Sequence, residues 1–452
     1  GEWGGGRGAG LTPAARAEIL TAVADALDEH TAELAALADL ETALGGVRLT
    51  GEVARTSGQL RMFADVLRDG GYLDVACTEA AGAAPDLRRI DRPVGPVAVF
   101  AASNFPFAFS VAGGDTASAL AAGCPVVVKA HEGHPRTSVA TGQVVATALA
   151  KAGAPAGVFG LIHGVDAGVA LVGHPAVAAA GFTGSARGGL ALQRICAERP
   201  VPIPFFGELG SVNPVVVLPG AATARREAIA TGYVGSLTLG VGQFCTNPGL
   251  LFVPEDIGLR NAIAAAVSAS QGGPMLSARI HAGFTAATAD LAGRPDLRLL
   301  ASGQPGAGPW AGRPQVFHCG LAEFAAGLPS LAEERFGPAG LVISYADAGE
   351  LVAVLARLGG NLAGCVHLDD SAPGDVAAAR QVMAVLAQIA GRVVFNGWPT
   401  GVAVTWAQHH GGPWPATTAP AHTSVGAAAI RRWLVPVVYQ DCPPELLPEA
   451  LA

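Results

Sequence analysis

Lysine is nearly absent from the sequence, and charged residues of both signs are scarce. Lys129 and Lys151 are the only lysines among 452 residues, and Asp, Glu, Lys and Arg together make up 14% of the chain, against about 25% in typical globular domains. The formal net charge is −8, and no run of Lys or Arg forms a basic patch. These absences argue against a nucleic acid or a membrane surface as the main partner, and they favour a small molecule.

Long hydrophobic runs and paired cysteines are also missing. Although 50% of the residues are hydrophobic, no uninterrupted apolar stretch reaches about 18 residues, so no membrane span is expected. The 7 cysteines stand far apart, without the spacings of a zinc site or a disulfide framework, which favours a reducing cytoplasm and predicts no metal site. The opening GEWGGGRGAG has neither a Met nor a charged-then-apolar leader, which is typical of a trimmed chain.

The remaining sequence alternates between helical and strand-like patterns. Apolar residues at helical spacing predict helices within residues 11–45 and around residues 60–67. Farther on, β-branched runs alternate with Ala-rich intervals, a pattern typical of parallel sheets covered on both faces, and the chain is long enough for two or three domains. The strand-like runs lie at 97–103, 125–130, 157–162, 177–183 and 213–219, and, after a mostly helical segment at 220–248, at 249–254, 340–345, 362–368 and 392–396.

One cysteine has a setting that the others lack. Cys245 stands in Gly-Val-Gly-Gln-Phe-Cys-Thr-Asn-Pro-Gly, and glycines at 240, 242 and 249 permit unusual backbone angles and close approach. This setting makes Cys245 a candidate nucleophile. By itself, a free cysteine is more often a small buried apolar residue.

Two polar residues near strand ends are candidates for acid–base and oxyanion chemistry. Glu208 lies between an apolar strand and a glycine, where apolar surroundings disfavour the charged form and suit a general base near neutral pH. Asn104 follows the run at 97–103, at the end where open α/β sheets place ligands, and its amide is able to donate to an oxyanion. The alternatives are a salt-bridged or solvated glutamate and an ordinary turn asparagine.

A further group of residues suits a dinucleotide. Lys129 lies at the end of a strand-like run and Glu132 follows it, a pair that is able to hold the two hydroxyls of an adenosine ribose. Gly184 and Ser185 lead from a strand into a helix that contains Gly189, so free backbone N–H groups are expected to face a pyrophosphate. A lone Gly-x-x-x-x-Gly is a weak signal, and it is not the Gly-x-Gly-x-x-Gly of the usual dinucleotide fold.

Together these segments resemble the aldehyde dehydrogenase superfamily, in that family's order along the chain. The similarity extends to the branch of NADP-dependent aldehyde dehydrogenases and 2-oxoglutarate semialdehyde (2,5-dioxopentanoate) dehydrogenases, through KAHEGHPRTS at 129–138 and the C-terminal segments that include QHHGGPWPATT. The seven matching segments are SNFPF (103–107), VVKAHE (127–132), FTGS (182–185), ELGS (208–211), GQFCTNPG (242–249), ERFGP (334–338) and FNGWPTG (395–401).

The resemblance implies a role for each catalytic candidate. It makes Cys245 the nucleophile that attacks an aldehyde, and Glu208 the base that activates water to release the acid. The side chain of Asn104 and the backbone N–H of Cys245 are expected to form the oxyanion hole.

The resemblance also implies an NADP or NAD cofactor and its contacts. Lys129, Glu132 and Ser185 are expected to bind the adenosine and pyrophosphate side. Glu334 and Phe336 are expected to touch the nicotinamide ribose and ring.

The fold implied by the resemblance is α/β, with two Rossmann-like doubly wound parallel-sheet domains and a small β oligomerisation element. The cofactor-binding domain is expected at residues 1–71 and 93–228, and the catalytic domain at 229–404. The oligomerisation hairpin and C-terminal segment are expected at 72–92 and 405–452, with a final strand near 434–440. A homodimer or homotetramer follows from this architecture.

Several choices stay open from the sequence. Glu132 repels a 2′-phosphate and favours NAD, whereas the branch favours NADP, and Arg136 and nearby histidines are able to offset the repulsion. The implied reaction is oxidation of 2,5-dioxopentanoate to 2-oxoglutarate. The alternatives are aliphatic or aromatic aldehydes, or a non-catalytic protein that retains the fold. Arg431 and Arg432 are candidate anchors for a substrate carboxylate, and phenylalanines at 105, 107, 109 and 244 are candidates for tunnel lining or core packing.

Overall fold

The computed structural model describes residues 11–451, so the opening GEWGGGRGAG lies outside the described residues. The first helix begins where Thr12 caps the N–H of Ala15 and Pro13 fixes the first turn. The predicted helical region at 11–45 contains two helices separated at His30. The α-helices are α1 (Pro13–Glu29), α2 (Thr31–Thr42), α3 (Gly46–Asp69), α4 (Gly114–Ala122), α5 (Pro135–Lys151), α6 (Val165–Gly173), α7 (Ala186–Glu198), α8 (Pro219–Ala224), α9 (Arg226–Thr238), α10 (Ile257–Ala269), α11 (Ala278–Gly293), α12 (Leu321–Ala326), α13 (Ala348–Leu355) and α14 (Pro373–Ile389).

Each predicted strand-like run contains a strand, which confirms the α/β class. The strands are β1 (Ala76–Thr78), β2 (Leu87–Pro93), β3 (Val97–Phe100), β4 (Val126–Lys129), β5 (Phe159–Ile162), β6 (Ala179–Thr183), β7 (Phe205–Glu208), β8 (Val215–Val217), β9 (Leu250–Pro254), β10 (Gly273–Pro274), β11 (Arg298–Ser302), β12 (Ala311–Gly312), β13 (Gln315–Gly320), β14 (Ala339–Tyr345), β15 (Asn361–His367), β16 (Ala390–Phe395) and β17 (Leu434–Gln440).

The first large sheet is parallel, in the order β5-β4-β3-β6-β7. Its strands end nearly in line, because Phe100 pairs with both Lys129 and Phe182, and Thr183 pairs with Glu208. The carboxyl ends of parallel strands meet at one edge, which is where open α/β sheets bind ligands. The sheet therefore carries Lys129 and Glu208 to the same edge.

The second large sheet has the order β11-β13-β14-β9-β8-β15-β16, and only β11 pairs antiparallel within it. Strands β14 and β15 are buried along their whole length, as expected for strands covered on both faces.

One strand departs from the expected domain boundary. The sequence assigns β8 to the cofactor-binding range 93–228, but β8 pairs with β9 and β15 in the second sheet. Its side chains pack on both faces of that sheet, Val216 on one side and Val215 and Val217 on the other. The chain therefore crosses to the second sheet after β7, well before residue 228.

A small antiparallel sheet, β1-β2-β17, joins the predicted hairpin to the final strand. Strand β2 pairs with β17 along its full length, from Pro93 opposite Leu434 to Leu87 opposite Gln440. The predicted hairpin near 72–92 and final strand near 434–440 are both confirmed, and β17 lies at the edge of the sheet. Within residues 11–451, none of the helices combines the length and the apolar character needed to cross a bilayer.

Candidate active site

The turn before Cys245 has the backbone that its glycines predict. Gly240 and Gly242 have φ angles of 55° and 67°, in the left-handed region that favours glycine. A Cβ on Gly242 would lie 2.3 Å from the carbonyl carbon of Gly337, so this close approach also requires glycine. This turn packs against the segment that follows Phe336. Cys245 follows shortly after the turn in the chain.

Cys245 belongs to a buried cluster with an imidazole and a carboxylate. Its Sγ lies 3.7 Å from Nε2 of His410, and that Nε2 lies 3.1 Å from Oε1 of Glu208. The hydroxyl of Ser424 donates a hydrogen bond to the other carboxylate oxygen of Glu208. The side chains of His410 and Glu208 are only 2% and 3% exposed. The imidazole and the carboxylate are therefore out of contact with bulk water, while the partly exposed thiol of Cys245 lies between this pair and the cavity.

The three reactive atoms of Cys245, His410 and Glu208 all lie within 4.8 Å of one another. Side chains at this spacing are also able to share a metal ion. In this structure the three groups contact one another directly.

His410 is the site residue that the sequence did not single out. The range 405–452 was assigned to oligomerisation, but its first part packs on β7. The backbone N–H of Leu209 donates to the carbonyl of Ala416, and the N–H of His410 donates to Thr423. The pair of histidines in QHHGGPWPATT was the available signal, but nothing in the sequence places either histidine beside Glu208.

The surroundings of Glu208 differ from the apolar environment that the sequence predicts. Burial by itself raises the pKa of the Glu208 carboxyl, but the contact with His410 and the hydrogen bond from Ser424 outweigh it and lower the pKa below its ordinary value. Glu208 is therefore a carboxylate at neutral pH rather than a protonated acid.

The pKa of the Cys245 thiol is shifted in the opposite direction. Burial and the nearby carboxylates of Glu208 and Glu334 raise its pKa well above the ordinary value. In this arrangement the thiol is protonated at neutral pH, so it must pass its proton to a neighbouring base before it is able to attack a carbonyl.

Asn104 lies at the same centre. Its side chain is buried, and its Nδ2 donates to the carbonyl of Gln243 at 2.9 Å. Gln243 is in turn held by Leu276, whose N–H donates to its side chain. An amide NH₂ has two N–H groups, so one remains available to an oxyanion near Cys245.

The cofactor candidates gather at the edge of the first sheet. Lys129 is buried and forms an ion pair with Glu132, which is half-exposed. Ser185 caps α7 by accepting from the N–H of Gly188, so the helix N-terminus is turned to this edge, where it suits a phosphate.

Gly189 departs from its predicted role. Its N–H donates to the carbonyl of Ser185 within the helix, and an added Cβ would lie 2.3 Å from the side chain of Leu209. Gly189 therefore permits close packing of α7, while Gly184 and Gly188 lie at the cavity surface.

A cavity of about 530 Å³ connects the catalytic and cofactor candidates. The guanidinium of Arg335, which also borders it, is held by carbonyls of the segment 330–333. One cavity therefore joins the thiol to the nucleotide-binding edge, as hydride transfer from a substrate to a dinucleotide requires. Nine predicted site residues line the cavity: Asn104, Lys129, Glu132, Gly184, Ser185, Glu208, Cys245, Glu334 and Phe336.

Comparison with known proteins agrees with this geometry. A family model described as "Aldehyde dehydrogenase family" matches residues 8–413. The chain belongs to the aldehyde dehydrogenase family. It is accordingly an oxidoreductase that oxidises an aldehyde with a nicotinamide cofactor.

Individual relatives match nearly the whole chain. Alpha-ketoglutaric semialdehyde dehydrogenase 2 of Azospirillum brasilense is 48% identical over 97% of this chain and 85% of its own. Alpha-ketoglutaric semialdehyde dehydrogenase of Acinetobacter baylyi is 42% identical over 96% of this chain and 84% of its own. The crystal structure of gamma-glutamyl-gamma-aminobutyraldehyde dehydrogenase from Burkholderia cenocepacia superposes with a TM-score of 0.81 at 25% identity, over 95% of this chain and 84% of that one.

The candidate substrate-tunnel residues of this aldehyde dehydrogenase divide into two groups. Phe105 and Phe109 line the cavity, and Phe244 packs edge-on against Phe105 with ring centres 5.3 Å apart. Phe107 is instead part of the core of the N-terminal half. This is the core-packing alternative that the sequence left open.

The two candidate carboxylate anchors of the dehydrogenase do not reach the cavity. Arg431 is exposed, and Arg432 is buried and paired with Asp115 at 2.7 Å. The expectation that either arginine binds a substrate carboxylate is therefore wrong, because Arg431 is exposed on the surface and Arg432 already has its counter-ion.

The raised thiol pKa gives a direct prediction. Glu208→Gln removes one of the negative charges that raise the pKa of Cys245, so at a fixed pH below that pKa the thiolate fraction increases, by about tenfold for each unit by which the pKa falls. Carboxamidomethylation of Cys245 by iodoacetamide, followed by peptide mass spectrometry across a pH series, is expected to be faster in the variant.

Glu132→Gln is the matched control, because it removes a cavity carboxylate that does not contribute to the shift of Cys245. It is expected to leave the alkylation profile unchanged. A Glu208→Gln profile that coincides with wild type would contradict the electrostatic coupling between Glu208 and the thiol.

Proposed function

We propose that this aldehyde dehydrogenase oxidises 2,5-dioxopentanoate, which is alpha-ketoglutaric semialdehyde, to 2-oxoglutarate. The observation that carries the reaction is the buried contact of Cys245 with His410 and Glu208 in the cavity that leads to the cofactor edge. The substrate is supported by the two relatives of that name, which match 97% and 96% of this chain.

The first step is activation of the thiol. The carboxylate of Glu208, which Nε2 of His410 contacts at 3.1 Å, accepts the proton of Cys245 and releases it to solvent before it acts again in deacylation. The thiolate then attacks the aldehyde carbon to form a thiohemiacetal. Its oxyanion is held by the side-chain amide of Asn104 and the backbone N–H of Cys245, and such a donor contributes about 10²–10³ in rate in enzymes of this kind.

The cavity residues fit a dinucleotide. Lys129 and Glu132 suit ribose hydroxyls, the N-terminus of α7 behind Ser185 suits the pyrophosphate, and Glu334 and Phe336 suit the nicotinamide ribose and ring. When bound, the nicotinamide supplies the hydride acceptor. The remaining chemistry belongs to the chain: Glu208 takes a proton from the water that attacks the thioester of Cys245, and this releases the acid.

NAD is the cofactor that the charges at the ribose end favour. The half-exposed carboxylate of Glu132 repels a 2′-phosphate and suits a free 2′-hydroxyl. His131 does not offset this repulsion, because burial lowers its pKa to about 4 and keeps it neutral. Arg136 is outside the cavity lining, whereas Arg279 lines the cavity and is the cation that would favour NADP.

A homo-oligomer is supported by the small sheet. Strand β17 is an edge strand whose Val438 side chain is 53% exposed. An exposed edge of this kind is a ready site for pairing with another chain, and a second copy is the partner that we propose.

The substrate proposal is tested by steady-state assays of reduced-cofactor formation. We expect the highest kcat/KM for 2,5-dioxopentanoate, a lower value for succinate semialdehyde and the lowest for hexanal. The Cys245→Ala variant is the control, and it should retain cofactor binding by fluorescence titration without turnover. A higher kcat/KM for hexanal than for 2,5-dioxopentanoate would instead favour an aldehyde dehydrogenase for aliphatic substrates.

The role of Glu208 is tested by rapid mixing. Glu208→Gln lowers the pKa of Cys245, so the thiol is able to lose its proton to solvent, and attack and hydride loss still occur. The variant lacks the base for thioester hydrolysis, so a burst of about one equivalent of reduced cofactor is expected, followed by a steady rate at least about 10²-fold below wild type. A stopped-flow trace without a burst and with normal steady turnover is the result that would exclude this role.

The cofactor proposal is tested at Glu132. Wild type should have the larger kcat/KM with NAD. Glu132→Gln should raise the ratio of kcat/KM for NADP to kcat/KM for NAD by about tenfold, which corresponds to the loss of about 1.4 kcal/mol of repulsion between the carboxylate and the 2′-phosphate. The matched variant Arg279→Gln should lower that ratio. A wild-type preference for NADP that Glu132→Gln does not increase would refute the assignment.

A further inference from the structure

Helix α3 directs two arginines toward the same aromatic wall. Arg48 and Arg55 are seven residues apart, which is close to two helical turns, so they share one face of the helix. Both are half-buried. Nη1 of Arg48 and Nε of Arg55 are buried without a hydrogen-bond partner among residues 11–451. Buried donors of a charged group that lack an acceptor are costly, and an anionic ligand would satisfy them.

The aromatic wall belongs to the catalytic cavity. The guanidinium carbon of Arg55 lies 6.0 Å from the ring centre of Phe105 and 5.7 Å from that of Phe109. That of Arg48 lies 5.2 Å from the ring centre of Phe105 and 4.9 Å from that of Phe244. Phe105 and Phe109 also line the cavity that holds the nucleophile, whereas Arg48 and Arg55 are not themselves lining residues, so the two guanidinium groups pack against the wall of that cavity.

The two arginines differ in their hydrogen bonds. Nη2 of Arg48 donates to the carbonyl of Asn104 at 2.6 Å, so Arg48 positions the loop that carries the oxyanion donor. Arg55 forms no corresponding hydrogen bond within the described part of the chain, and the carboxyl groups of Glu52 and Glu208 act on it electrostatically. Arg55 is therefore a cation beside the aromatic wall that has no hydrogen-bond partner among residues 11–451.

The nearest carboxyl does not neutralise this pair. Glu52 lies between the two arginines on α3 and accepts the N–H groups of Phe107 and Ala108. Burial raises its pKa to about 7, so at neutral pH Glu52 carries only part of a negative charge. The face of α3 that carries Arg48 and Arg55 is thus net positive.

We propose that Arg55 binds the carboxylate of the substrate and makes the enzyme selective for aldehydes that carry an acid group, an inference that rests on the proposed function for the identity of the substrate. A guanidinium fork matches a carboxylate in two parallel hydrogen bonds. The phenylalanines then hold the apolar part of the chain while the aldehyde reaches Cys245. Arg48 is a positioning residue that acts through Asn104.

The test compares charged and uncharged aldehydes. In Arg55→Met, KM for 2,5-dioxopentanoate and succinate semialdehyde should rise about 10- to 100-fold, the loss expected for a charge-assisted hydrogen bond, while KM for hexanal changes less than about twofold. A change in kcat that follows from the lost charge near Glu208 is common to all three aldehydes. Arg55→Lys keeps the charge without the fork and should lie between the two. The control is Arg61→Met on the same helix, since Arg61 is half-exposed and paired with Asp25 and Asp28, and its kinetics should equal those of wild type.

A second arm does not depend on which semialdehyde is the substrate. Glutarate, a dicarboxylate that the enzyme cannot oxidise, should inhibit hexanal oxidation competitively, and its inhibition constant should rise at least about tenfold in Arg55→Met. If 2,5-dioxopentanoate proves a poor substrate but glutarate inhibition depends on Arg55, the proposed function fails and the carboxylate site stands. The assignment of Arg55 is overturned if Arg55→Met raises KM equally for charged and uncharged aldehydes, or if it leaves the inhibition constant of glutarate unchanged.

Discussion

The contact between the carboxylate of Glu208 and the imidazole of His410 is the interaction on which the active site depends. Both groups are almost fully buried, and a carboxylate so placed stays charged only if a partner compensates for the lost solvation. His410 and Ser424 provide that compensation. The charge that they preserve then raises the pKa of Cys245, so the same contact keeps the thiol protonated at rest and supplies the base that removes its proton.

Two different features of the fold bring these groups together. Parallel strands end at a common edge, which places Glu208 at the end of β7 and Lys129 at the end of β4. His410 and Ser424 arrive from the C-terminal part of the chain, through a segment that packs on β7 instead of joining either large sheet. The first device is general to open α/β sheets, whereas the second belongs to this chain's long-range packing.

Charge scarcity gives the few remaining charged side chains clear roles. Arg432 is neutralised by Asp115, and Arg335 holds a loop that borders the cavity. Arg48 and Arg55 are the cations left beside the aromatic wall of the tunnel. Whether an arginine is able to bind an anionic substrate depends on whether it already has a counter-ion. Arg432 has one and Arg431 lies on the surface, so both were wrong as anchors. The two arginines of α3, which the sequence did not single out, retain buried donors without a partner among residues 11–451.

The sequence determined the features that local backbone chemistry dictates. The alternation of strand-like and helical runs fixed the α/β class. The glycines before Cys245 correctly indicated a turn with positive φ, which Gly240 and Gly242 adopt together with Val241 between them, and Gly242 is required there by its close approach to Gly337. The tertiary structure alone decided the placement of β8 in the second sheet, the packing role of Gly189, the charge state of Glu208 and the arrival of His410. Each of these depends on contacts between residues far apart in the chain, and a local sequence pattern does not show which distant residues come together.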